Sequence, residues 1–89
     1  MNENKNWTLT VDIAEQERHT EAEARLTTAA GTTLTGRGIA RRNPRDADVP
    51  SIGDELAVSR ALSELSHGLL DAAAQEISQI EHRRVRLSR

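Results

Sequence analysis

The segment from Gly36 to Leu65, GRGIARRNPRDADVPSIGDELAVSRALSEL, fixes the order of elements along this chain. It passes from a glycine-spaced strand through an Asn-Pro stop and a short acidic loop into an amphipathic helix. Proline donates nothing to a sheet ladder and restricts the residue before it, so Asn43-Pro44 ends the strand. Beyond Pro50, Val58, Leu62, Leu65, Leu69, Ala73, Ile77 and Ile80 recur at spacings of three and four, one apolar face of a helix. A sheet followed by a helix is therefore the architecture.

Upstream, Trp7, Leu9, Val11 and Ile13 alternate with Thr8, Thr10 and Asp12, the period of a half-buried strand over Trp7–Ile13. Ala14–Thr20 reads as a connection. Ala22, Ala24 and Leu26 alternate with Glu21, Glu23, Arg25 and Thr27 in a second strand. Ala30-Gly31-Thr32 forms a hairpin turn, and Thr33–Arg41 a third strand. In that strand Leu34 and Ile39 have opposite parity, so Gly36 or Gly38 marks a bulge or a close backbone approach. Helix onset falls between Ser51 and Asp54, with Ser51 and Asp54 spaced as a capping box or Asp54 itself as the N-cap. Gly68 is the point at which the helix is expected to kink or divide. These readings give one α+β domain over residues 1–89. Residues 1–6 form a disordered N-terminus, 7–41 a three-stranded antiparallel sheet, 42–50 a loop, 51–82 a helical segment and 83–89 a basic tail. Helix and sheet each have one apolar face, so Leu62, Leu65 and Leu69 are expected to meet Leu9, Val11 and Leu26.

At 89 residues, with one Trp, no Phe and no Tyr, such a domain has a lean core. Three strands also leave edges open, and both points predict a homodimer. Cysteine is absent, which excludes disulfides and thiolate chemistry. The polar start MNENKNW lacks a signal-peptide h-region, and no apolar run is long enough to span a bilayer. A cytoplasmic location without membrane contact is the expectation.

Catalytic vocabulary is sparse. His19, His67 and His82 show no metal-ligand spacing. His67 and Asp71 are four apart, which suits a solvated helix pair. Ser59, Ser63 and His67 share a helical face, but one helix seldom builds a nucleophile, base, orienting group and oxyanion hole together. Gly36-Arg37-Gly38 lacks the third glycine of a dinucleotide fingerprint and precedes a turn instead of opening a helix. The chain is read as non-catalytic, with no cofactor, no metal and no evident small-molecule substrate.

The charge is blocked. Residues 25–45 carry five arginines and no acid, residues 46–81 carry eight acids and one base, and residues 82–89 carry four arginines. Arginine's planar fork suits phosphate or carboxylate. Arg37, Arg41, Arg42 and Arg45 are the first candidates for nucleic-acid contact, with Arg83, Arg84 and Arg86 second. With Trp7 in an alternating apolar strand, no aromatic is left to stack bases. Any RNA contact would be electrostatic and directed at a duplex or structured RNA. The competing reading pairs these arginines with the acidic helix or with a protein partner.

Gly36-Arg37-Gly38-Ile39-Ala40-Arg41, Asn43-Pro44, Val49-Pro50, Ile52-Gly53-Asp54-Glu55-Leu56-Ala57-Val58 and Arg60-Ala61-Leu62-Ser63 with Leu65 together resemble one family. It comprises small actinobacterial proteins of unknown function with a fold like that of double-stranded-RNA-binding domains. The resemblance covers about Trp7 to Leu87. It implies a dimeric β-β-β-α domain, a link to hypoxia and dormancy, and a likeness to ribosome hibernation factors that suppress translation under stress. Two features depart from the hibernation-factor pattern. Ala14–Thr20 is too short for the helix those factors carry between their first two strands, and this chain is net acidic.

Overall fold

The computed structural model describes residues 3–43, 45 and 47–87, with side chains in the helix described as far as Arg83. Strands β1 (Thr8–Glu15), β2 (His19–Thr27) and β3 (Thr33–Arg41) form an antiparallel sheet in the order β1-β2-β3, followed by helix α1 (Pro50–Leu87). The β1–β2 connection is tight, with Gln16 N–H donating to His19 O at 2.8 Å. The β2–β3 turn closes through Gly31 N–H to Thr28 O at 3.0 Å. Gly31 has φ +90°, the left-handed region that glycine enters without a Cβ clash. Met1 and Asn2 of the expected disordered start, Pro44 of the Asn-Pro stop, and Ser88 and Arg89 of the expected tail lie outside the described residues.

The β2–β3 register runs without interruption from His19↔Arg41 to Thr27↔Thr33, so neither glycine is a bulge. Gly36 and Gly38 instead mark the close approach. A Cβ on Gly36 would lie 2.3 Å from the Ala61 carbonyl oxygen, and one on Gly38 would lie 2.1 Å from the Ala57 carbonyl oxygen. The opposite parity of Leu34 and Ile39 has a simpler cause. Leu34 packs under the helix, while Ile39 stands exposed on the sheet's other face.

This glycine groove also corrects the helical stripe. The buried residues are Ala57, Ala61 and Leu65, packed on Ala22, Ala24 and Ala40. Of the expected contact set, Leu65 is buried, Leu69 half-buried and Leu62 exposed. Backbone-to-backbone approach over Gly36 and Gly38 admits only small side chains, so the alanines one position N-terminal to Val58 and Leu62 turn inward.

The helix differs from expectation at both ends. It starts at Pro50, where the missing N–H and preset φ of proline fit a first helical turn. Ser51 therefore lies inside α1, and no Ser51–Asp54 capping box forms. Gly68 does not break it, and Arg83–Leu87 of the expected tail continue it as helix. Its 38 residues span about 57 Å at 1.5 Å per residue. Nine-residue strands reach only about 30 Å. The long axis of the molecule is accordingly 65 Å. The second half of α1 extends past the sheet beyond Leu69.

Candidate functional site

Three surfaces carry unused chemistry: the open sheet face, the uncovered side of β1, and the end where α1 begins. The strand period of two places His19, Glu21, Glu23, Arg25, Arg37, Ile39 and Arg41 on the face turned away from α1. Glu23 stands at its centre. It accepts from Arg25 at 2.9 Å and from Arg37 Nε at 3.2 Å, and Asp12 on β1 is its cross-strand neighbour. His19 Nε2 lies 3.5 Å from Glu21. This face is a mosaic of both signs.

The expected arginine set is therefore divided. Arg37 is held by Glu23. Arg42, half-buried, lies 3.9 Å from Asp48. Arg41 and Arg45 make no ion pair with the described residues. Arg45 N–H donates to Asn43 Oδ1 at 3.1 Å, a local turn that fixes the loop backbone. Arg83 lies on the far half of α1, remote from the other four, and the side chains of Arg84 and Arg86 lie outside the described set. Arg60 Nη1 donates to the Ile39 carbonyl at 2.7 Å, tying the helix to the outer edge of β3. His67 Nδ1 meets the Ser63 carbonyl at 2.8 Å, one turn back along its own helix, so the Ser59, Ser63 and His67 alignment builds no relay.

The uncovered side of β1 follows from where the helix lies. α1 packs on β3 and β2 and barely meets β1. Leu9, Val11 and Ile13 pair with Leu26, Ala24 and Ala22, so they belong to the helix-facing side of the sheet. Leu9 and Ile13 nonetheless remain 47% and 45% exposed, and Trp7 beside them 51%. Leu62 on the near flank of α1 is also exposed.

At the end where α1 begins, a pocket of about 320 Å³ opens among the β1–β2 turn, the exit of β3 and the first turn of the helix. Nearby, Glu15 at the end of β1 has its carboxyl held above the ordinary carboxylate range. A hydrogen bond with Asp54 and that carboxylate's charge are the main causes, with smaller contributions from desolvation and Asp48. Asp54 Oδ1 is buried with no hydrogen-bond partner among the described residues. Neither the Glu15–Asp54 pair nor the pocket follows from local spacing, because the sheet register brings the parts together. The one local signal is Gly53, a poor helix former in the first turn of a helix.

A family model described as Rv2632c-like matches residues 5–86. The chain belongs to the Rv2632c-like family. An uncharacterized Mycobacterium bovis protein, Mb1767, is 43% identical over 83 residues, spanning 93% of this chain and 87% of the relative. Uncharacterized protein Rv2632c of Mycobacterium tuberculosis is 41% identical over 81 residues, spanning 91% and 86%. The crystal structure of Rv2632c superposes with a TM-score of 0.83 at 40% identity, covering 91% of this chain and 95% of that one. The sheet-then-helix architecture is thus shared with a solved relative. Among the described residues no helix is long and apolar enough to cross a membrane.

Proposed function

We propose that this chain is a non-catalytic, homodimeric interaction module in which the overhanging half of each helix covers the bare β1 face of the other copy. The exposure of Leu9 and Ile13 on the helix-facing side of the sheet carries this reading. A sheet face left half-covered beside an unsupported helix is an incomplete second layer. The lengths agree. The overhang from Leu70 to Leu87 spans about 27 Å, and the eight residues of β1 span about the same. Ile77 and Ile80 on the overhang are 58% and 50% exposed, a second apolar surface without a partner in the monomer.

Charge order favours a second copy of this chain over an unrelated partner. α1 is acidic through Glu81 and basic from Arg83 onward. Two such helices side by side and antiparallel set each basic end against the partner's acidic first half, the complementary arrangement for an isologous pair. Arg60 already occupies the outer edge of β3, which leaves β1 as the accessible side. Isotope-filtered NMR on mixed labelled and unlabelled protein tests the arrangement. Intermolecular contacts from Leu9 and Ile13 methyls to Ile77 and Ile80 methyls are expected; contacts confined to the sheet's charged face would overturn the arrangement.

A second reading, binding to ribosomes or structured RNA in a stress or dormancy state within the cytoplasm, draws support from Arg41 and Arg45, which lack acidic partners among the described residues. The likeness to double-stranded-RNA-binding domains and hibernation factors belongs to this reading. Phosphate contacts release counterions, so co-sedimentation with ribosomes would weaken steeply with salt, and Arg41→Gln with Arg45→Gln would flatten that slope. Absence of co-sedimentation at low salt removes it. The mosaic of charge around Glu23 favours the interaction module.

A further inference from the structure

The bare strip of β1 is apolar along its length and acidic at one end. Leu9, Val11, Ile13 and Glu15 share the helix-facing parity of the strand. Glu15 is the last residue of β1, and across from it β2 offers only the uncharged Thr20. The flank of α1 beside this strip repeats the order. Asp54, Val58 and Leu62 follow at spacings of four along one side of the helix. With Glu55 and Ser59 they line an open hollow there. Floor and wall of the groove therefore both end in a carboxyl near the start of α1.

These two carboxyls meet, because Glu15 and Asp54 are hydrogen-bonded to each other. Neither forms an ion pair among the described residues, and Asp54 Oδ1 is buried without a hydrogen-bond partner. Asp48 adds negative charge from the loop, and Glu55 follows Asp54 in α1. Arg42 lies 3.9 Å from Asp48, while Glu17 and Arg18 belong to the turn after β1. Two carboxyls held together are eased by a cation, which favours their charged forms.

A second copy carries that cation at the matching place. Arg83 is exposed and forms no ion pair among the described residues. It lies eighteen residues beyond Leu65, about five turns at 3.6 residues each, so it leaves α1 on the sheet-facing side of that buried leucine. From Leu70 to Arg83 is about 20 Å of helix, and from Thr8 to Glu15 about 23 Å of strand. An overhang laid antiparallel to α1, with Leu70 over Thr8, brings Arg83 within an arginine's length of Glu15. Laid the other way, it would set Asp71 against the same two carboxyls.

We propose that Glu15 and Asp54 form the seat for the Arg83 guanidinium of the second copy, fixing the helix in one direction along the groove and making self-association pH-sensitive. This rests on the self-association proposed above and adds its register. The guanidinium meets exposed Glu15 and lends charge to Asp54 behind it. In the single chain Glu15 keeps its proton above the ordinary carboxylate range. Docked Arg83 draws that value back down, so a pair of chains holds fewer protons than two separate ones. Association should strengthen as pH rises through that range.

Sedimentation equilibrium on full chains carrying Glu15→Lys or Arg83→Glu, alone and mixed, tests the seat. Each variant alone is expected to self-associate about tenfold more weakly than wild type. In an equimolar mixture, opposite charges meet again at both seats of a mixed pair. Association should then return to within about threefold of wild type, which also shows that both variants fold. Wild-type association should tighten several-fold from about pH 4 to about pH 7, and Arg83→Gln should lose most of that dependence. Single variants as tight as wild type, a mixture no tighter than its components, or a pH dependence unchanged in Arg83→Gln would overturn the seat and leave self-association standing. A wild-type chain that stays at 9.8 kDa throughout would overturn both.

Discussion

At Gly38 an added methyl would sit 2.1 Å from the Ala57 carbonyl oxygen and 2.4 Å from the Ala61 amide nitrogen. Both obstacles are backbone, so the helix as a whole must move to make room. Gly38→Ala should destabilise the fold by about 3 kcal/mol or more, the upper part of the overpacking range. Gly68 has nothing within 4 Å of the same position. Gly68→Ala should have the opposite sign, a gain of about 0.5–1 kcal/mol from helix propensity alone. Urea unfolding midpoints of the two variants check the pair, and equal effects would contradict the packing of α1 on β3. Glu15 supplies a pH signature at the same scale. Its folded-state pKa is raised, chiefly by the hydrogen bond with Asp54 and then by that residue's charge. The folded state then holds more proton than the unfolded one between the ordinary glutamate value and the raised one. Stability should fall as pH rises through that window. Glu15→Gln should flatten the fall and stabilise the protein at neutral pH relative to acid, as read from unfolding midpoints on either side of the window.

At the scale of elements, Leu65 is, among the described residues, the one large hydrophobic side chain that is buried, in a core of alanines over Gly36 and Gly38 with Val11, Leu26, Leu34 and Val58 partly buried against it. Leu65→Ala should cost about 2–5 kcal/mol. Leu62→Ala should cost far less in the monomer, because Leu62 lies on the flank of α1 and not beneath it. Chemical denaturation at low protein concentration separates the two, and similar losses would place the helix in the phase first expected from its leucines. Much of each element is legible locally. The alternation from Trp7 to Ile13 marks β1, the turn at Gly31 marks the hairpin, and the recurrence from Val58 to Ile80 marks α1. The rotation of α1 is not legible, because large residues set the apparent stripe while Gly36 and Gly38, far away in sequence, admit only Ala57 and Ala61. The first turn is obscured for a different reason. Ser51 has the spacing of a cap, which would make Ile52 the first helical residue, but Pro50 is itself preset for helix and takes the start two residues earlier. The pocket around Thr20 leaves still less trace, since Thr20, Gly53 and Arg42 are joined only by the sheet register and the return of the helix. The arginine cluster is visible as composition, yet the capture of Arg37 by Glu23 depends on a cross-strand neighbour that no local window contains.

The whole molecule is a half-filled two-layer sandwich. α1 covers β3 and β2, leaves the helix-facing side of β1 bare, and then continues beyond the sheet for about the length of the strip it leaves uncovered. In the reciprocal pair we propose, a second chain would complete both layers and bring Leu9, Ile13, Ile77 and Ile80 out of water together. Leu9→Glu combined with Ile13→Glu should leave the monomer folded, because neither residue is in its core, and should abolish association. Sedimentation equilibrium of the wild-type chain from low to high micromolar concentration tests this claim most directly. A species of twice 9.8 kDa that the double variant loses is the expected result; a single 9.8 kDa species across the whole range would contradict the reciprocal pair.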